Sequence, residues 1–311
     1  MGRNPYGQIP FFAPPWLSFV LSPLLLLPCP SAAVAWILTN IVLVVVSWSL
    51  LTILACIPRR YLLIAGILSA LLPYAVFTYI TGQLSVVALT SCTLSAWGLS
   101  KRRQGAVVIG LILSTLKPHV VALPTILIVL ELVRQRRWSY LLTSFIVLLL
   151  LSATGAAFVP AWPRGLLSSW TSGRFYEPRE NLLGLATFGV PSWLTYPFIG
   201  YALLLWWQRC LDLHTFALSV AVNLLAVPYS RSYDYVLLLI PVAATWHASS
   251  SRQGQVAFGL TLLAQLLPLV RVLVPHAGLL EALAPTLCTT GLMLVSRMRW
   301  NKLGLDLQLE Q

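Results

Sequence analysis

Acidic residues are scarce in this chain. Only eight of its 311 positions carry Asp or Glu, and none precedes Glu131. All charged residues together make up 9% of the sequence, against roughly a quarter in an ordinary soluble domain. So few ionisable side chains cannot cover a water-soluble globule of this length. A soluble enzyme, an extended disordered chain and a nucleic-acid-binding module are therefore excluded. Cysteine is also sparse. Cys29, Cys56, Cys92, Cys210 and Cys288 are scattered, odd in number and never in CxxC spacing. They indicate neither a disulfide framework nor a structural metal site. No group of carboxylates has the spacing of cation ligands, so neither a metal nor a cofactor is called for. Period-two alternation is missing too, which argues against membrane β-strands.

What is present is apolar. Hydrophobic residues make up 58% of the chain, and the mean hydropathy is +0.84. A hydrocarbon core about 30 Å thick takes roughly 20 apolar residues as a helix. The chain therefore reads as an all-α, polytopic transmembrane bundle of about 10–11 spans. The spans are expected near 33–56, 61–80, 84–100, 105–117, 119–133, 138–159, 192–208, 211–227, 235–248, 255–274 and 279–296. Residues 1–311 form one integral membrane domain. It opens with a Pro-rich, partial or re-entrant segment over 1–31, carries a long loop over 160–192 and ends in a tail over 297–311. Ala33-Val34-Ala35 has the small-x-small look of a cleavage site. The prolines before it and its single basic flank, Arg3, read against a cleavable signal.

The net charge of +12 divides into two populations. Thirteen of the 20 basic residues fall in clusters: Arg59-Arg60, Lys101-Arg102-Arg103, Arg134/Arg136/Arg137, Arg209, Arg252 and Arg297/Arg299/Lys302. Each neighbouring pair of clusters is separated by a hairpin's length of apolar sequence. By the positive-inside rule these clusters and the C-terminus are cytoplasmic. Many of the tryptophans sit where an interfacial belt would place them. Arg3, Lys117, Arg164, Arg174, Arg179, Arg231 and Arg271 fall on or near the other side.

Four features of that outer side carry polar chemistry. The 160–192 loop holds Arg174, Glu177, Glu180 and Asn181. It reads either as a solvated loop with weak ion pairs or as the cap of a polar cavity. The stretch Pro228-Tyr229-Ser230-Arg231-Ser232-Tyr233-Asp234-Tyr235 opens an apolar run. Asp234 there reads as a helix N-terminal carboxylate, or as one held for acid–base chemistry or sugar hydroxyls. Lys117 and His119 lie at the tip of a hairpin whose arms are too short to cross the full core, so they sit at membrane depth. A snorkelling lysine is the plainer alternative. A phosphate-bearing ligand would suit this lysine, because a point charge meets phosphate without strict geometry. Gly82-Gln83 marks an outer turn, and Gln83 offers donors and acceptors. Of the remaining polar groups, Glu131 reads as an i,i+3 partner of Arg134, and His214 as a surface residue at a cytoplasmic turn.

The order of these features resembles glycosyltransferase family 87, the polyprenol-phosphate-mannose-dependent mannosyltransferase-like membrane proteins of the C-type (GT-C) group. The resemblance rests on Gly82-Gln83, Lys117-Pro118, Arg136-Arg137-Trp138, Asn181-Leu182-Leu183-Gly184 and Pro228 to Asp234. The opening stretch Asn4-Pro5-Tyr6 through Phe11-Phe12-Ala13-Pro14-Pro15 belongs with them. It covers nearly the whole chain. It implies sugar transfer, of mannose or a relative, from a polyprenyl-phosphate-linked donor to a lipid or glycan acceptor. The reaction would take place on the outer face of a bacterial plasma membrane, among membrane lipids.

By this resemblance Asp234 and Lys117 are the catalytic candidates, one as base and one as stabiliser of the lipid phosphate. Gln83, His119, Arg174, Glu177, Glu180, Asn181, Tyr229, Arg231 and Tyr233 are the candidates for substrate binding. C-type glycosyltransferases usually carry an essential acid in a first outer loop, and this chain has none there. The expectation is thus a chain lacking the first span and its acidic loop, with Glu177 or Glu180 standing behind Asp234 as base. A transporter or flippase, and an inactive truncated homologue, are the alternatives.

Overall fold

The computed structural model describes residues 14, 16–160, 162–165, 192–209, 211–227, 230–246, 248–273, 280 and 283–309. The protein is an all-helical membrane bundle, and no described residue lies in a strand. Among the described residues, three helices are long and apolar enough to cross a membrane alone. They are α2 (Cys29–Leu54), α8 (Trp138–Phe158) and the stretch Arg252–Val270 of α12 (Arg252–Leu273). A bent pair, α3 (Leu62–Leu71) and α4 (Pro73–Thr81), makes a fourth crossing if counted as one span. The helices α5 (Ser85–Ser100), α6 (Gln104–Ser114), α10 (Leu213–Ala226) and the Ala284–Ser296 part of α13 (Ala284–Leu309) are apolar but shorter. Filling in the order are α1 (Trp16–Leu21), α7 (Pro118–Arg134), α9 (Tyr196–Arg209) and α11 (Leu239–Trp246).

Prolines explain where the elements depart from simple spans. The expected 61–80 span is bent by 58° between α3 and α4. Pro73 disfavours helical ψ at the residue before it, and Leu72 is extended at φ −62°, ψ 143°. The 235–248 span begins instead as a 3-10 segment, Ser232–Leu238, which leads directly into α11. Pro124 lies inside α7, and Val121 three residues earlier leaves helical geometry at φ −124°, ψ 16°.

Burial separates the bundle's centre from its lipid-facing rim. α10 and the segment 232–245 are buried almost continuously, as a central membrane helix must be. α2 has two faces. Asn40, Val44, Ser47, Trp48 and Leu51 point inward, while Val34, Leu38, Val42 and Val46 are exposed at four-residue intervals. α8 is peripheral and turns Leu142, Phe145, Leu149 and Leu150 outward, toward lipid.

Small residues and short polar bridges join the helices, since hydrocarbon gives apolar side chains little reason to prefer one another. Gly110 of α6 lies so close to α5 that a Cβ there would come 2.0 Å from Ser95 Oγ. Hydroxyls pair across helices at Ser47–Thr90 (3.0 Å) and Thr245–Thr261 (2.9 Å). His214, expected at a surface, is buried with Nε2 2.6 Å from Ser296 Oγ. The face of α10 it occupies is covered by α13, which the local sequence does not reveal.

The basic turns at Arg102 and Arg137 meet at one end of the bundle. A cavity of about 710 Å³ there is bordered by Leu54, Arg102, Gln135, Arg137 and Asp212, and so joins the ends of α2, α5 and α7 to the start of α10. Three turns at this end use left-handed residues that are not glycine: Cys56, Arg102 and Arg136, at φ 53–55°. Each is followed by an N–H that closes back on the helix, at Thr52, Gly98 and Leu132 respectively.

Candidate functional site

At the opposite end, three helix beginnings converge. Gly82 terminates α4 in the left-handed region at φ 65°, and Gln83 N–H closes the turn on the Thr78 carbonyl (3.2 Å). Trp36 of α2 holds the turn through Nε1 on the Gly82 carbonyl (3.1 Å). The chain can then start α5 at Ser85. α7 starts at Pro118, whose fixed φ and missing N–H suit a first helical position. That leaves Lys117 immediately outside the helix. The third beginning is the 3-10 segment, where Arg231 N–H donates to Asp234 Oδ2 (3.1 Å) and Asp234 N–H donates to the Arg231 carbonyl (2.7 Å).

Lys117, Ser85 and Asp234 meet in one cluster. The Lys117 ammonium forms an ion pair with Asp234 Oδ1 and donates to Ser85 Oγ at 2.7 Å. Ser85 Oγ donates in turn to Asp234 Oδ1 at 2.7 Å. The Lys117 side chain is 13% exposed and that of Asp234 is 3% exposed. Two charges so far from water are tolerable only when paired and hydrogen-bonded, as here.

Aromatic rings and one threonine fix the rim. Lys117 Nζ lies 4.4 Å from the Tyr233 ring centroid, a cation–π contact. Phe77 stacks on Tyr233 at 6.5 Å, and Tyr74 meets Tyr235 edge-on at 5.4 Å. Thr78 Oγ1 donates to the Tyr233 carbonyl (3.0 Å), tying α4 to the 3-10 segment. Trp16 and Leu17 of α1 pack with Val87 and Leu116, next to Ser85 and Lys117. The short helix α1 thus lies against this end of the bundle.

Of the residues picked out in the sequence, Lys117 and Asp234 are in direct contact. Tyr233 joins them, Gln83 stands two positions before Ser85, and His119 lies in the first turn of α7, half-buried. Arg231 is exposed, and its backbone rather than its side chain makes the bond to Asp234 described above. Arg174, Glu177, Glu180, Asn181 and Tyr229 lie outside the described residues. Glu131, read as a partner of Arg134, accepts from Gln135 Nε2 (2.6 Å) and Trp206 Nε1 (2.8 Å) beside the cavity at the basic end.

Sequence reading missed three residues. Ser85 and Thr78 are single hydroxyls on either side of the Gly82-Gln83 turn, and nothing local in the sequence signals their partners. Asn223 was passed over as one amide in the apolar run 211–227, although an amide inside a span next to a proline-containing span is a signal of interhelical bonding.

The cavity and the Lys117 cluster are separate features. They lie at opposite ends of α5, whose 16 residues span about 24 Å. No group of three or more potential metal ligands occurs among the described residues. The cluster offers a rigidly held ammonium with hydroxyl and aromatic neighbours. It can meet an anion without first ordering a flexible side chain.

The model of glycosyltransferase family 87 matches residues 11–275, a stretch that includes Ser85, Lys117, Asn223 and Asp234. No curated protein and no solved structure matches the chain.

Proposed function

The chain belongs to glycosyltransferase family 87, and from that membership we propose that Lys117 binds the phosphate of a lipid-linked sugar donor. The coarse activity is that of a membrane glycosyltransferase with a sugar donor and an acceptor. The finer reading is transfer of mannose, or a related hexose, from a polyprenyl-phosphate donor to a lipid or glycan acceptor. The Lys117 cluster faces the non-cytoplasmic side of a bacterial plasma membrane, with the basic turns and the C-terminus inside. Residues 1–311 work as one membrane domain.

The single observation that carries this reading is the holding of Lys117. Asp234 and Ser85 engage two of its three N–H groups, which aims the ammonium and leaves one donor for a ligand. During transfer the bond from the anomeric carbon to the phosphate oxygen breaks, and a bond to the acceptor oxygen forms. The phosphate leaves with the electron pair and gains a second negative charge. A fixed ammonium stabilises that charge more than the diester it replaces, which is what acceleration requires.

The acceptor must also lose a proton. Asp234 already accepts from Lys117, Ser85 and the Arg231 N–H. That favours Asp234 as the residue that orients Lys117, with Glu177 or Glu180 taking the proton. Gln83, His119, Arg174, Asn181, Tyr229, Arg231 and Tyr233 are assigned to donor and acceptor binding. The test is sugar transfer from polyprenyl-phosphate-mannose by membranes carrying the protein. Lys117→Ala is expected to abolish transfer while the protein still inserts. Undiminished transfer by that variant refutes the assignment.

A further inference from the structure

Asn223 lies in the last turn of α10, in an otherwise apolar and buried neighbourhood. Its amide makes three hydrogen bonds to the backbone of α7. Oδ1 accepts from Leu123 N–H (2.9 Å), and Nδ2 donates to the carbonyls of His119 (3.0 Å) and Val120 (2.7 Å). These are the groups that a proline at 124 uncouples. In a regular helix Leu123 N–H would bond the His119 carbonyl, and the N–H of residue 124 would bond the Val120 carbonyl. Proline supplies no N–H, and its ring pushes the carbonyl four residues back out of line. Val121 takes up the distortion.

One amide answers all three orphaned groups. It offers an acceptor and two donors on a short stem, a combination that Asp, Ser and Thr lack. A straight α7 would need neither Pro124 nor Asn223. The consequence of having both is that the first turn of α7, with Lys117 at its head, is set off from the rest of the helix. Lys117 meets Asp234 and Ser85 in that offset position.

We infer that Asn223 is a positioning residue for the transfer reaction: with Pro124 it locks the offset of α7 that brings the Lys117 ammonium to the donor phosphate. The inference rests on the reading of Lys117 given above. Asn223 itself touches no substrate. It acts through the backbone of residues 119–123, and a misplacement of about 1 Å at such a distance can cost about 10²-fold in rate.

The test separates positioning from mere stability. Asn223→Ala strands three buried backbone groups, so both thermal stability in detergent and transfer activity fall. Adding Pro124→Ala returns an N–H at position 124 and lets α7 pair its own backbone. The double variant is therefore expected to regain most of the lost stability. Its kcat for transfer from polyprenyl-phosphate-mannose stays at least about tenfold below wild type, because α7 is now straight. Recovery of wild-type kcat together with stability overturns the inference and leaves Asn223 a structural residue only. A double variant no more stable than Asn223→Ala overturns the account of the kink. Failure of the underlying reading shows elsewhere, as full activity in Lys117→Ala.

Discussion

Replacing Lys117 with Met leaves the Asp234 carboxylate buried beside Ser85 without its counter-charge. Removing one partner of a buried pair costs about 3–5 kcal/mol, because the remaining charge has lost both water and its partner. Asp234→Asn strands the Lys117 ammonium in the same way, somewhat less severely, since its side chain is 13% exposed and Ser85 Oγ still accepts from it. The double variant carries no charge at either position. It loses the hydrogen bonds of the cluster, about 1–3 kcal/mol, but escapes the penalty of an unpaired charge. The double variant should thus be more stable than the sum of the single losses by at least about 2 kcal/mol. Equilibrium unfolding of the four proteins in mixed detergent–SDS micelles measures this coupling. Transfer assays on the same samples supply the second reading. Both Lys117 variants should lose about 10²–10³ in rate, the usual cost of one preorganised donor to a developing anion, including the double variant that escapes the unpaired-charge penalty. Additivity within about 0.5 kcal/mol would refute the coupling of Lys117 and Asp234. Wild-type transfer by the stable double variant would refute the role of Lys117.

Ser85→Ala removes a bond to each charged partner and should cost about 1–3 kcal/mol, with lower transfer but undisturbed insertion, checked by unfolding and assay together. Gly110→Ala drives a Cβ to 2.0 Å from Ser95 Oγ and 2.8 Å from the Ser91 carbonyl, so separation of α5 from α6 should lower stability by about 1–3 kcal/mol. The left-handed turns predict opposite signs. Gly82→Ala should lose about 1 kcal/mol at φ 65°, while Arg136→Gly, at φ 55°, should gain up to about 1 kcal/mol with topology still held by Arg134 and Arg137. Thermal melts in detergent distinguish these. A stabilising Gly82→Ala would contradict the conformational argument.

Much of this protein is legible along the chain, and the reason is that the relevant physics is local. Whether a stretch enters hydrocarbon depends on its own 20 or so residues, and which way it faces depends on the lysines and arginines at its ends. Composition, hydropathy and charge clusters therefore sufficed for an all-helical membrane bundle. Arg102 and Arg137, from two of the basic clusters, border one cavity together with Gln135 and Asp212. The ordered motifs from Gly82 to Asp234 were likewise enough to point to the family that residues 11–275 match. Pro73 was visible in the sequence. Its 58° bend was not, because a proline inside a span is tolerated or broken according to its neighbours.

Tertiary structure alone decided the site's partnerships. Lys117 and Asp234 stood out singly, but 117 positions separate them and 149 separate Asp234 from Ser85. Hydrophobic periodicity says which face of a helix is buried and nothing about which helix ends will touch. Asn223 could be seen as a lone amide and Pro124 as a lone breaker. That the amide's three hydrogen bonds fit the breaker's three orphaned groups depends on α10 lying against α7 at that height. The same dependence changed the reading of Asp234, from an open carboxylate at a helix start to one filled by three donors. Local chemistry set what each residue offers, and only the packing of distant segments set what each offer meets.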